Sequence, residues 1–183
     1  CGEYRYRMME GLLIKNVLSN KERKKLIKDC QPLLKTSDEI SNYYHKHLGQ
    51  RYAGRQTPSN LHEDPKFLKP IVTMMTRIHK ETGRNFVVRK SWINWTNGSK
   101  KEMMWHDHLR TIPRGGGYTM VYYIKIPVPF FSNGTLFKEE GFITAPQNSI
   151  LIFPPHLKHT APTSPFRLDR YTMSLDLFND PTI

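Results

Sequence analysis

The spacing of apolar residues changes character near residue 85. Before it they recur every three or four positions, as on a helix; after it they alternate or gather in short runs, as in strands. Ser19 or Asn20 can cap a helix whose apolar positions are Leu26, Ile27, Cys30, Leu33 and Leu34, and Glu22 lies three after Ser19, as a capping box requires. Pro65 to Gly83 reads as a second helix, with a stripe of Phe67, Leu68, Ile71, Val72, Met75 and Ile78 and a glycine at its end. Between them, residues 35–64 are polar and broken by Gly49, Gly54 and Pro58, with Tyr43-Tyr44-His45-Lys46-His47 inside. That segment is expected to be surface chain with little regular structure, a candidate lid or substrate loop.

The second half is expected to be β. Phe86–Trp95 is a strand, and Thr96-Asn97-Gly98-Ser99 has turn chemistry. Met103–His108 is a short strand, and Arg110–Gly117, with Pro113 and three glycines, a flexible loop. Tyr118–Ile126 is the clearest strand and ends at Pro127 and Pro129. Thr135–Phe137, Gly141–Thr144, Ser149–Phe153 and Tyr171–Leu177 supply further short strands. Helices followed by many short strands predict an α+β fold: a double-sheet jelly roll with helices on one face. The 183 residues are expected to form one domain, with 1–85 mostly helical support and 86–178 the jelly-roll core.

Composition narrows the function classes. The longest apolar run, Ile150–Pro155, is too short to span a bilayer, and no signal-peptide pattern opens the sequence. It begins with Cys1 rather than Met, which points to a processed or partial chain. Two cysteines, Cys1 and Cys30, make neither a disulfide framework nor a zinc ribbon, so a reducing, cytoplasmic or other intracellular setting is expected. Asn94, Asn97 and Asn133 begin Asn-x-Ser/Thr triplets that matter only in a secreted protein. The net charge of +12 favours acidic partners and leaves nucleic acid open as one. Part of it, Lys21 to Lys25 with Lys28, falls at helical spacing and reads equally as a solvated face.

The candidate chemistry lies in two histidine groups, Trp105-His106-Asp107-His108 and Pro155-His156-Leu157-Lys158-His159, separated by strand sequence. On an extended chain residues i and i+2 share a face, so His106 and His108 project together while Asp107 points away. His159 follows a strong strand and a Pro-Pro turn, which puts it at a strand end facing the same cavity mouth. The three imidazoles would form a facial set that leaves metal positions open. His45, His47, His62, His79 and His156 are expected to be surface or hydrogen-bonded residues.

These motifs, with Val121-Tyr122-Tyr123-Ile124, Leu151-Ile152-Phe153-Pro154-Pro155 and Arg170-Tyr171-Thr172-Met173-Ser174, resemble the Fe(II)/2-oxoglutarate-dependent oxygenases. Within them the prolyl-hydroxylase-like branch, with its short microbial or phage-type members, is the nearest in pattern, over residues 86–178. The resemblance implies a double-stranded β-helix. It gives Fe(II) to His106 and His159, and the distal carboxylate of 2-oxoglutarate to Arg170, with help from Tyr123 and the Ser174 hydroxyl. O2 would be the co-substrate. Arg167 reads as surface, with Asp169 as its candidate partner. The family pattern carries a carboxylate two residues after the first histidine, where this chain has His108. Either three histidines bind, or Asp107 reaches the metal through irregular backbone, or the site is degraded; the strand-face argument favours His108.

Three functions compete at this stage. The first is an Fe(II)- and 2-oxoglutarate-dependent hydroxylase, for which the branch favours a prolyl residue of a peptide or protein. Trp92, Trp95 and Met104 are candidate pocket residues, and residues 37–64 and 110–117 candidate substrate elements. The second is a three-histidine cupin-type dioxygenase that uses no 2-oxoglutarate and so needs no Arg170 or Tyr123. The third is a non-enzymatic basic module that binds nucleic acid through its lysines.

Overall fold

The computed structural model describes residues 11–36, 54–98, 105–127, 133–162 and 167–180. Helix α1, Asn20–Cys30, starts where the capping box places it: the Ser19 hydroxyl accepts from the Glu22 N–H at 3.3 Å, and the Glu22 carboxylate accepts from the Ser19 N–H at 2.9 Å. Helix α2, Pro65–Thr82, begins at Asp64, which accepts from the Lys66 N–H, and ends at Gly83 with φ +68°. Its buried stripe is Phe67, Ile71, Met74 and Ile78. Leu68 and Val72, expected in that stripe, are 44 % and 58 % exposed. They instead line a groove of about 490 Å³ with Met75, Phe86 and Val88.

Among the described residues ten strands follow chain order: β1 Leu12–Lys15, β2 Lys35–Thr36, β3 Arg55–Gln56, β4 Phe86–Asn97, β5 Gly117–Lys125, β6 Gly134–Phe137, β7 Gly141–Thr144, β8 Ser149–Phe153, β9 His159–Thr160 and β10 Asp169–Asn179. They form a seven-stranded sheet, β1-β8-β5-β10-β4-β3-β2, and a three-stranded sheet, β7-β6-β9, in which every strand pair is antiparallel. Tyr171, Met173, Leu175 and Leu177 of β10 pack with Phe67, Met74 and Ile78 of α2 and Leu26 of α1 in one core. Val121, Tyr123, Phe137, Ile143, Leu151 and Phe153 form a second core from strands of both sheets. The expected α+β jelly roll with helices on one face is what forms.

Three strands come from the half expected to be helical support. The four residues of β1 carry no alternation, yet pair with β8 at the sheet edge. β2 and β3 have two residues each, too few for any periodicity. Strand β4 runs into the expected turn as far as Asn97, because Asn97 still pairs with Asp169. Of the expected strand Met103–His108, only His106 pairs; Met103, Met104 and residues 37–53 lie outside the described residues. Asn148, with φ +64°, fastens the start of α1 to the sheet. Its amide bonds the Leu18 N–H and C=O, and its oxygen also accepts from the Tyr122 hydroxyl.

Asp169 takes partners other than Arg167. Trp95 Nε1 donates to it at 3.0 Å, Asn97 Nδ2 at 2.8 Å, and the Lys125 ammonium lies 3.5 Å away. Partial burial alone would raise its carboxyl, but the bonds from Asn97 and Trp95 and the Lys125 charge outweigh that and hold it below the usual value. A carboxyl depressed in the folded state adds stability above its unfolded value, roughly pH 4, and loses it as pH falls through the folded value. The wild type should therefore lose more stability than Asp169→Asn on acidification below roughly pH 4, as read by urea melts at stepped pH. Parallel pH profiles for the two proteins would refute this role.

Candidate metal centre

His159 and His106 are placed by backbone pairing. The His106 N–H donates to the His159 C=O at 3.1 Å and the His159 N–H returns a bond to the His106 C=O at 2.9 Å. This reciprocal pair makes them directly opposed antiparallel neighbours, whose side chains leave on the same face. Two residues on, the His108 N–H donates to the Pro155 C=O at 2.8 Å, and the His108 C=O accepts from Thr111 and Ile112 as the chain turns. The segment after His106 is therefore pinned to the turn that precedes His159. Asp107 is turned away: its carboxylate accepts from the Leu109 N–H at 3.1 Å and closes the turn.

The three imidazoles converge. Their ring centroids lie 4.4 Å (His106–His159), 5.3 Å (His106–His108) and 5.3 Å (His108–His159) apart. One ring nitrogen from each lies within 4.8 Å of the others. His108 and His159 are buried, and His106 is half-buried. Nδ1 of His159 donates to the Leu157 C=O at 2.8 Å, and Nδ1 of His108 lies 2.7 Å from the Asp176 carboxylate. Nε2 is thus the nitrogen that both rings have left for a ligand. Burial, with the neighbouring His106 and His108, pushes His159 well below the usual imidazole value, so its ring is neutral and carries a lone pair at pH 7. Three converging imidazoles, two of them buried with Nδ1 engaged by an acceptor, are a donor set that fits a divalent first-row metal at about 2.0–2.1 Å per nitrogen.

Beside this cluster, β10 presents an inward row. Arg170, Thr172, Ser174 and Asp176 sit at alternate positions, are all buried, and share the face opposite to the Tyr171, Met173 and Leu175 core. Arg170 Nη2 donates to the Gly134 C=O at 3.0 Å, and its guanidinium lies 5.8 Å from the centroid of the Tyr123 ring. The Tyr123 hydroxyl bonds Thr135 at 2.6 Å, and burial pushes its phenol up to about 12, so it keeps its proton. Asn94 Nδ2 reaches Ser174 Oγ at 3.5 Å, while its buried Oδ1 makes no hydrogen bond to a described residue. A buried guanidinium flanked by hydroxyls is suited to a small carboxylate.

Of the pocket candidates, Trp92 lies near-parallel to His108 at 5.8 Å. Trp95 instead packs beside the helix-side core and donates to Asp169. The other histidines fall as expected where they are described: Nδ1 of His62 bonds Ser91, that of His79 approaches the Arg84 C=O, and His156 is half-buried in its turn. His45 and His47 lie outside the described residues. Asp176 is the residue the sequence reading missed. Its signal was an acidic residue at even spacing from Arg170 and Ser174 on a strand whose odd positions are apolar.

No family model matches the chain, and no curated protein does. Solved structures do. A prolyl hydroxylase from Trichoplax adhaerens, in complex with a hypoxia inducible factor oxygen degradation domain peptide, is 13 % identical with a TM-score of 0.60, over 92 % of this chain and 83 % of its own. A viral collagen prolyl hydroxylase from Paramecium bursaria Chlorella virus-1, in a 2-oxoglutarate complex, is 10 % identical with a TM-score of 0.61, over 93 % and 96 %. HygX from Streptomyces hygroscopicus, with nickel and 2-oxoglutarate bound, is 9 % identical with a TM-score of 0.68, over 97 % and 86 %. The fold of this chain is therefore the double-stranded β-helix found in 2-oxoglutarate/Fe(II) oxygenases, as the sequence resemblance implied.

Proposed function

We propose that the chain is an Fe(II)- and 2-oxoglutarate-dependent oxygenase that hydroxylates a prolyl residue of a peptide or protein. The observation that carries the reading is the convergence of His106, His108 and His159 beside an inward row that ends in the buried Arg170. Bound iron would supply O2 activation coupled to oxidative decarboxylation of the keto acid. The chain's own residues hold and orient. His106, His108 and His159 would hold the metal through one ring nitrogen each, three donors that leave it able to take further ligands. Arg170 receives the distal carboxylate, and Tyr123 and Thr135 fix its side of the pocket by the bond between their hydroxyls. Phe137 and Phe153, packed on each other and on His159, exclude water behind the site. The prolyl assignment rests on the motif resemblance and on two fold neighbours that are prolyl hydroxylases, one of them in complex with a peptide. An all-imidazole donor set favours a three-histidine dioxygenase without 2-oxoglutarate as the second reading; keto-acid binding separates the two.

His159→Ala should abolish stoichiometric Fe(II) binding in anaerobic titrations, and unchanged occupancy would remove His159 from the site. Arg170→Ala should weaken 2-oxoglutarate at least tenfold, since truncating one side of a buried charge pair costs on the order of 2–5 kcal/mol. An unaltered affinity would favour the second reading. Proline-containing peptides incubated with iron and 2-oxoglutarate should gain one oxygen by mass spectrometry and release succinate. Succinate formed only with a free amino acid or nucleic acid would overturn the peptide substrate and keep the oxygenase class.

A further inference from the structure

Asp176, the last member of the inward row, contacts the histidine cluster directly. It is 1 % exposed and lies 2.7 Å from Nδ1 of His108, which is itself 7 % exposed. Across the sheet it faces Thr119 on β5 and Lys90 on β4. Lys90 is exposed and bonds Thr111, so it spends its charge outside, and the buried Thr119 hydroxyl makes no hydrogen bond to a described residue. A carboxylate so deeply buried is costly unless it is paired and hydrogen-bonded. The partner in place is His108, the residue that occupies the position where the oxygenase pattern carries its acidic ligand.

We propose that Asp176 is a positioning residue that replaces that missing carboxylate at one remove. By accepting the Nδ1–H of His108 it fixes which ring nitrogen is left bare, holds the ring rotation that aims Nε2 at His106 and His159, and sets a negative charge behind the imidazole. Trp92 stacks near-parallel to the same ring at an interplanar angle of 17°. A carboxylate behind a ligating imidazole raises its basicity and orders it, and loss of such a partner costs roughly 10–100-fold in metal affinity. The inference rests on the reading of the three histidines as metal donors and on no particular reaction.

The pairing makes a reciprocal prediction. In His108→Asp the ligand itself is a carboxylate, and Asp176 then faces it with no donor between them, two like charges in a buried site. Asp176→Asn should therefore weaken metal binding in the natural chain by roughly 10–100-fold and tighten it in the His108→Asp chain. The probes are Co(II), read by its visible absorption, and Zn(II), read by competition with a chromophoric chelator, with thermal melts of each metal-free variant in parallel. A purely structural Asp176 would change binding in the same direction in both backgrounds, and that result, or an unchanged affinity and Co(II) spectrum in Asp176→Asn, overturns the proposal. If Asp176→Asn fails to fold, proton–nitrogen NMR of the Zn(II)-loaded natural chain decides. His108 should carry its proton on Nδ1 with Nε2 on the metal, and the opposite tautomer overturns the proposal. Failure of the natural chain to bind either metal would remove the three-histidine site itself, an outcome distinct from equal binding with and without Asp176.

Discussion

Strand β10 is buried on both faces, and the period of two along it divides the molecule. Its odd positions, Tyr171, Met173 and Leu175, join the core under the helices, and its even positions, Arg170, Thr172, Ser174 and Asp176, line the space on the other side. Because neighbours alternate, a slip of one residue would send Arg170 and Asp176 into the helix-side core and the apolar row into the polar space. Register is thus enforced from both sides at once. Hydrophobic burial on one face, at roughly 1.5–3 kcal/mol per large side chain, opposes the desolvation of charged groups on the other. The strand tolerates its polar row because each charged member has a fixed acceptor or donor, Gly134 C=O for Arg170 and His108 for Asp176.

The two backbone bonds between His106 and His159 do for the small sheet what register does for the large one. They convert two distant stretches of sequence into a directly opposed pair, so that the approach of two imidazoles is a property of β geometry and not of side-chain attraction. The third histidine follows at no further backbone cost, since its N–H is held by Pro155 in the turn leading to His159. Burial, with the neighbouring His106 and His108 rings, keeps the imidazole of His159 neutral. That is the condition a metal ion needs and water alone does not impose.

Much of this was legible in the sequence because the signals were local. The capping box at Ser19, the stop at Gly83, the apolar run of β5, the alternation in β10 and the i, i+2 spacing of His106 and His108 each lie within a few residues. What escaped depended on partners far along the chain. β1 is a strand because β8 offers it an edge, β2 and β3 because β4 does, and Asp176 matters because His108, 68 residues earlier in the chain, reaches it across the fold. The resemblance to a family whose pattern has a carboxylate at position 108 leaves Asp107, one residue before it, as the alternative to His108. The carboxylate that reaches the cluster instead stands on another strand, where no spacing rule would have looked.

Charge bears on why such a substitution can be sustained. Three neutral imidazoles leave a divalent metal its full charge, whereas two imidazoles and a carboxylate leave it half neutralised. At an effective dielectric of about 20, opposite unit charges interact by roughly 3 kcal/mol at about 6 Å and by roughly 8 kcal/mol at about 2 Å. A carboxylate on the far side of a ligating imidazole therefore keeps about a third of the direct attraction. It does so without occupying a coordination position or placing its own charge in the path of an incoming anion. In the proposed site the anionic keto acid would meet a metal more positive than in the two-histidine arrangement, with Arg170 at the far end of the same row adding attraction for its second carboxylate. The cost falls on the metal-free protein, which must bury Asp176 against a single imidazole, so metal binding and the stability of this end of the sheet are expected to be coupled through that one hydrogen bond.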